Sequence, residues 1–147
     1  MKRRATVQAG YNTIAAAYLA DRTQDSADVQ ALARLTDVLP PSALVLDAGC
    51  GAGRPIAERL VAAGHRVVGL DFAVAQLALA RANVPEAAFA CQDLTALGLA
   101  PAAFDAVCSY YAIIHIPREE HAAILAAFYR ALKPGGYAFL CLGAADF

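Results

Sequence analysis

The chain has little of what several classes of partner require. Lysine and arginine together number 12 against 13 aspartates and glutamates, a formal net charge of −1. No excess of positive charge is available to neutralise phosphates, which argues against nucleic acid as the main partner. The hydrophobic fraction is 59%, but much of it is alanine. No stretch reaches the ~18 uninterrupted apolar residues of a membrane-spanning helix, so no membrane partner is expected. The basic start Met1-Lys2-Arg3-Arg4 is followed by no long apolar run, so a secretory signal is not expected. The four cysteines, Cys50, Cys91, Cys108 and Cys141, are widely spaced, with no Cys-x-x-Cys pair and no His at zinc-ligand spacing. Three lie in or at the end of apolar runs, where cysteine acts as a small buried hydrophobe. No disulfide framework and no metal site are expected, and the simple reading is a reducing cytoplasm. The chain also lacks internal repeats and dividing linkers. Its 147 residues suffice for one domain with a core and are too few for two.

What it does have is a regular alternation of short apolar runs and helical stretches. The runs are Ala43–Asp47, Arg66–Asp71, Ala87–Cys91, Phe104–Ser109 and Tyr137–Leu142. Most carry β-branched or aromatic residues and end near Gly, Asp or Ser, as buried strands do. Between them Pro55–Ala63, Val74–Ala82 and Arg118–Leu132 read as helices. In the last, Ile124, Leu125, Phe128 and Leu132 fall on one face. Two more helices, Val7–Leu19 and Ala27–Leu39, are expected before the first strand, and Pro40-Pro41 stops the second. The pattern predicts an α/β fold, a doubly wound parallel sheet covered on both faces. Pro55 suits a first helical position. Lys133-Pro134-Gly135-Gly136 is expected to end the last helix and turn the chain into the final strand.

The first strand runs into Asp47-Ala48-Gly49-Cys50-Gly51-Ala52-Gly53, with a helix to follow. Glycines let a backbone turn sharply and approach a ligand with no Cβ between. The carboxyl end of a central strand is where open α/β sheets bind ligands. An ordinary strand-to-helix turn also uses glycine, but three alternating glycines behind an acid exceed its needs. The dinucleotide motif wants a small third residue, and that position falls on Arg54 or Ile56. A phosphate loop needs Lys followed by Ser or Thr, and neither is present. Asp71 ends the second strand, 18 residues after Gly53. Its carboxylate can accept from both hydroxyls of a ribose, or it can cap the next helix. The ring of Phe72 could lie against a purine or pack in the core. Gln92-Asp93-Leu94 ends the third strand. Asp93 can accept from the exocyclic amine of adenine while a neighbouring N–H donates to a ring nitrogen, or it is a solvated loop acid.

Val45-Leu46-Asp47-Ala48-Gly49-Cys50-Gly51-Ala52-Gly53 resembles motif I of the class I S-adenosylmethionine (SAM)-dependent methyltransferases. Asp71 resembles the family's acidic ribose position, and Gln92-Asp93-Leu94 its adenine-contacting segment. Phe104-Asp105-Ala106-Val107 with Ser109-Tyr110-Tyr111 resembles its fourth strand and active-site end. Arg130-Ala131-Leu132-Lys133-Pro134-Gly135-Gly136 is similar to its lead into the fifth. The resemblance runs from about Tyr11 to Leu142 and is strongest to the small-molecule methyltransferases. It implies a Rossmann-like sheet of order 3-2-1-4-5 in one domain, with a helical lid over 1–40 and a core over 41–147. SAM would be the cofactor and S-adenosylhomocysteine (SAH) the product. Asp47, Gly49, Cys50 and Gly51 would form the cofactor loop, the two glycines bringing backbone groups to the methionine portion. Asp71 would hold the ribose, Phe72 would lie by the purine, and Gln92, Asp93 and the Leu94 backbone would frame adenine. The Ser109 carbonyl would help hold the methionine amino group, and Tyr11, in the lid, would reach the carboxylate. Tyr18 of the same lid, Tyr110 and Tyr111 would line the acceptor side, with one of the last two expected to point into the core instead.

Two departures from the family pattern stand out. Ala73 replaces a common serine, which removes a helix cap. The sixth and seventh strands are absent, leaving the fifth as an apolar edge that a homodimer, a rearranged terminus or a truncation would each explain. In such an enzyme the protein mainly positions the reactants and excludes water. A base is needed only where the acceptor must lose a proton early. His115, after the fourth strand, is the candidate, with ordinary packing as its alternative; His65 and His121 read as surface residues. The expectation is methyl transfer to an O or N of a small molecule. The alternatives are a non-catalytic SAM/SAH-binding module and, behind it, a nucleotide-linked oxidoreductase.

Overall fold

Five strands are present: β1 (Leu44–Ala48), β2 (Arg66–Asp71), β3 (Ala88–Cys91), β4 (Phe104–Tyr110) and β5 (Leu132–Cys141). They form one parallel sheet in the order β3-β2-β1-β4-β5. The structure is a computed structural model that describes residues 27–142 together with 5–6 and 9–10. The helices are α1 (Ala27–Gln30), α2 (Leu32–Val38), α3 (Ile56–Ala62), α4 (Val74–Asn83) and α5 (Arg118–Ala131), with 3₁₀ turns at Leu94–Ala96 and Ile113–His115. Tyr11, Tyr18 and most of the helix expected over Val7–Leu19 lie outside the described residues. Among the described residues no helix is long and apolar enough to cross a membrane.

β1 is apolar without alternation because both its faces are covered. Val45 packs with Leu32, Leu35, Leu60 and Val67 on one face; Leu46 and Ala48 pack with Leu70, Val107, Ile124 and Phe128 on the other. Burying each such Leu, Ile or Phe side chain contributes about 1.5–3 kcal/mol. These two layers fix the carboxyl ends of β1 and β4 side by side, where the order of strands reverses. That is the crevice in which open α/β sheets place a ligand.

Several expectations need correction. The helix over Ala27–Leu39 is two helices, separated at Ala31. Leu39 ends the second in an extended conformation, φ −75° and ψ 145°, as a residue before proline must. Pro55 is the N-cap of α3 rather than its first helical residue. Lys133-Pro134-Gly135-Gly136 lies inside β5 instead of preceding it. Phe104 pairs with Leu132 while Ala106 pairs with Tyr137, so the four residues form an excursion that leaves and rejoins the ladder. Asp105 fills the gap. Its Oδ2 accepts from the Leu44 N–H at 2.8 Å and its Oδ1 from Lys133 Nζ at 3.0 Å. The starts of β1, β4 and β5 are thereby tied together. His65 is buried, and the Nε2 of half-buried His121 lies 2.8 Å from the Ile116 carbonyl. Of the cysteines only Cys50 and Cys108 are buried; Cys91 is exposed, Cys141 half-buried, and all four are free thiols.

Candidate functional site

The three loop glycines take positive φ: 79° at Gly49, 53° at Gly51 and 79° at Gly53. The N–H groups of Gly49 and Cys50 both donate to the Leu70 carbonyl, at 2.7 and 2.9 Å, and that of Gly53 to the Cys50 carbonyl at 3.0 Å. The Gly51 N–H donates to Asp71 Oδ2 at 2.9 Å. A pyrophosphate cradle needs loop N–H groups aimed at the ligand, and these four are turned inward. The Cβ positions that Gly49 and Gly53 leave empty are used for close packing inside the protein. A Cβ built on Gly49 would collide with that of Ala112, so the chain leaving β4 rests on the loop leaving β1. At the far end Asn83 Nδ2 donates to the Ala52 carbonyl at 3.0 Å, and a Cβ on Gly53 would lie 3.4 Å from Ala80. α4 is docked there.

Asp71 joins the loop to β2. Besides the Gly51 bond, its Oδ1 accepts from the Ala73 N–H at 2.9 Å, and its carbonyl accepts from the Gln92 N–H at 3.0 Å. Burial pushes its carboxyl up from the ordinary value, against the pull of the Ala73, Gly51 and Phe72 N–H groups. Ala73 itself caps α4 with no side-chain bond, as its methyl side chain requires, and the Asp71 carboxylate closes the turn before that helix. Each carboxylate oxygen has a second lone pair to offer. Phe72 is half-buried and belongs to neither core cluster. Asp93 Oδ1 accepts from both the N–H and the hydroxyl of Thr95, each at 2.8 Å, so Asp93 caps the turn at Leu94–Ala96. Leu94 is buried beside Gly49. Gln92 is half-buried, and its Oε1 has no hydrogen-bond partner among the described residues.

On the β1 and β4 side, Asp47 is 1% exposed. Ser109 is fully buried, its Oγ without a partner among the described residues. The Cys50 Sγ lies 3.6 Å from the Gly51 carbonyl. Burial above all, then the carboxylates of Asp47 and Asp71, pushes its thiol well up. Cys50 is therefore a protonated packing group. It sits against Gly69, where an added Cβ would come 2.9 Å from its Sγ and 2.5 Å from the Phe89 ring. Gly69 escaped the sequence reading, although a glycine inside a β-branched run signals such a close approach. Gln76 escaped it as well: it is buried in α4.

Tyr110 and Tyr111 do not act alike. Tyr110 is 7% exposed and belongs to the core, whereas Tyr111 is 37% exposed with φ 53°. Their rings meet edge to face at 4.8 Å. Of the two, Tyr110 is the one that points into the core and Tyr111 the one that faces outward. A hydrogen bond to Asp28 of α1, with some desolvation, pushes the Tyr111 hydroxyl up to about 12. His115 is half-buried and ends the 3₁₀ turn that follows β4.

Comparison with known proteins points one way. The sequence model of a family described as "Methyltransferase domain" matches residues 45–136. The ubiquinone biosynthesis O-methyltransferase of Pseudomonas aeruginosa (strain UCBPP-PA14) is 37% identical over 101 residues, which cover 65% of this chain and 42% of the relative. That of Paracidovorax citrulli (strain AAC00-1) is 36% identical over 101 residues, covering 65% and 41%. The chain thus spans under half the length of these curated relatives. Among solved structures, a TehB-like SAM-dependent methyltransferase from Corynebacterium glutamicum superposes with a TM-score of 0.76 at 26% identity, over 95% of this chain and 74% of that one. A DhpI–SAH complex gives 0.74 at 27% identity, over 88% and 63%.

Proposed function

The chain belongs to the methyltransferase-domain family, as a class I SAM-dependent member, and on that premise we propose that it transfers a methyl group from SAM to an oxygen or nitrogen of a small molecule. One observation carries the reading. Two buried carboxylates, Asp47 and Asp71, flank a loop whose N–H groups are turned inward. Such a site repels a pyrophosphate and suits a ligand with positive charge and hydroxyl groups. The residues present therefore fit SAM. When bound, SAM supplies a methyl group on a positively charged sulfur, activated towards nucleophiles.

The chain's own residues would do the rest. Asp71 accepts from the ribose hydroxyls. Gln92, Asp93 and Leu94 frame adenine, with the Phe72 ring beside it. Gly49 and Gly51 admit the methionine portion next to Asp47 and Cys50, the Ser109 carbonyl takes its amino group, and Tyr11 its carboxylate. Tyr18 and Tyr111 bound the acceptor side, and His115 takes the acceptor's proton where one must leave. The O-methyltransferase relatives favour oxygen as the accepting atom. The reading includes a cytoplasmic protein, supported by its free thiols, and no nucleic-acid partner, supported by a net charge of −1.

Titration calorimetry with SAH and NADH tests this reading. SAH binding is expected; binding of NADH but not SAH overturns the cofactor. A methyl-transfer assay over a panel of small phenols and amines follows. SAH binding with no turnover across the panel would favour the non-catalytic module. Asp71→Ala is expected to weaken SAH binding by roughly 1–3 kcal/mol, the scale of lost charge-assisted hydrogen bonds. Unchanged affinity in a folded variant removes Asp71 from the site.

A further inference from the structure

Gln76 has no part in anything assigned so far. It is the third residue of α4 and is 1% exposed. Both polar atoms of its amide, Oε1 and Nε2, are buried without a hydrogen-bond partner among the described residues. An amide in that state weighs against the fold. Methionine or leucine would fill nearly the same volume without that penalty. A buried polar group without a protein partner calls for one from outside the chain or for a functional reason to be there.

The helix shows where the amide lies. At about 100° per residue, positions 76, 80 and 83 share one stripe. Ala80 and Asn83 of that stripe touch the glycine loop, at Gly53 and at the Ala52 carbonyl. Gln76 is one turn nearer the start of α4. There the Asp71 carboxylate takes the N–H groups of Ala73 and Gly51. Gln76 therefore lies at the start of α4, on the stripe of that helix that faces the loop.

We propose that Gln76 is a cofactor-binding residue whose amide, with Asp71, completes a site for the paired hydroxyls of the cofactor's sugar. The inference rests on the SAM reading given above. An ionised carboxylate only accepts hydrogen bonds. It can take the hydroxyl protons but leaves the hydroxyl oxygens without a donor. The Gln76 Nε2 supplies that donor and its Oε1 a further acceptor. A neutral amide does so without setting a second negative charge beside Asp71.

The test compares the whole chain with Gln76→Met and Gln76→Leu. It measures melting without ligand and calorimetric binding of SAH and of an SAH analogue lacking both sugar hydroxyls. The ligand-free variants are expected to melt about 3 °C above the parent, the shift for roughly one unmet hydrogen bond removed from a domain of this size. Their SAH affinity is expected to fall about tenfold, as for one or two lost neutral hydrogen bonds. The analogue should bind parent and variants alike. Undiminished SAH affinity in the variants, or an equal loss for SAH and the analogue, overturns the assignment. Lower melting of both variants also overturns it, because the amide would then have a structural partner. Should the parent itself fail to bind SAH, the cofactor reading falls, and this one with it. A parent that binds SAH beside variants that bind it equally well removes only Gln76.

Discussion

At Gly49 two demands meet in one residue. Its φ of 79° disfavours any side chain, and a Cβ there would strike Ala112. The backbone term alone costs an alanine about 1–2 kcal/mol, and the collision adds to it. Gly49→Ala should therefore be strongly destabilised, and Gly49→Ala/Ala112→Gly should recover the part due to the collision. Urea denaturation of the four proteins of that cycle measures the coupling; zero coupling would show that the two segments do not touch. The glycine was legible in the sequence because its spacing and its acid neighbours are local features. Ala112 was not, since it reaches the loop only after β4 has been laid beside β1. Gln76 was hidden for a related reason. A glutamine in a short amphipathic helix reads as a solvent-facing residue until Gly53 and Ala80 bring that helix onto the loop.

Among the elements, the stitch at Asp105 governs how the sheet responds to acid. The Leu44 N–H first, then Lys133, holds the Asp105 carboxyl below its ordinary value of 3.8. A depressed acid contributes stability that is present above its unfolded pKa and lost as pH falls through its folded one. Asp105→Ala should destabilise the protein at neutral pH by about 1–2 kcal/mol, the scale of a hydrogen bond to a charged group. The gap between parent and variant should close below the ordinary carboxylate range, as urea midpoints measured across that range would record. A gap independent of pH would mean that the charge is irrelevant. Asp71, raised by burial, acts with the opposite sign, so the comparison must be with the variant and not with the total acid curve. The bounds of β2 matched the sequence reading, and those of α4 did to within a residue, because turn residues flank each apolar run. β5 did not. Lys133-Pro134-Gly135-Gly136 has turn chemistry and does turn, but the residue on each side of it pairs with β4, which no local pattern discloses.

For the molecule as a whole, the described sheet has two edge strands, β3 and β5, and exposed apolar residues gather at β5. Tyr137 is exposed there and Leu142 just beyond it, and Tyr129 of the neighbouring α5 is 80% exposed. An edge strand with apolar neighbours is a template for another strand, and we propose that copies of this chain pair through β5. Sedimentation velocity over a range of concentrations should show association, and Ala138→Pro, which removes an edge N–H, should abolish it. A chain that stays monomeric throughout would rule the edge out as an interface. Periodicity predicted the parallel sheet but not its order, because every strand covered on both faces gives the same apolar run. The order came from the family resemblance, and pairing bears it out. The glycine loop, finally, has the N–H groups of Gly49, Cys50, Gly51 and Gly53 satisfied inside the protein. It needs no ligand to hold its shape. A molecule entering the crevice finds the floor already set, and little of its contact energy is consumed in ordering backbone.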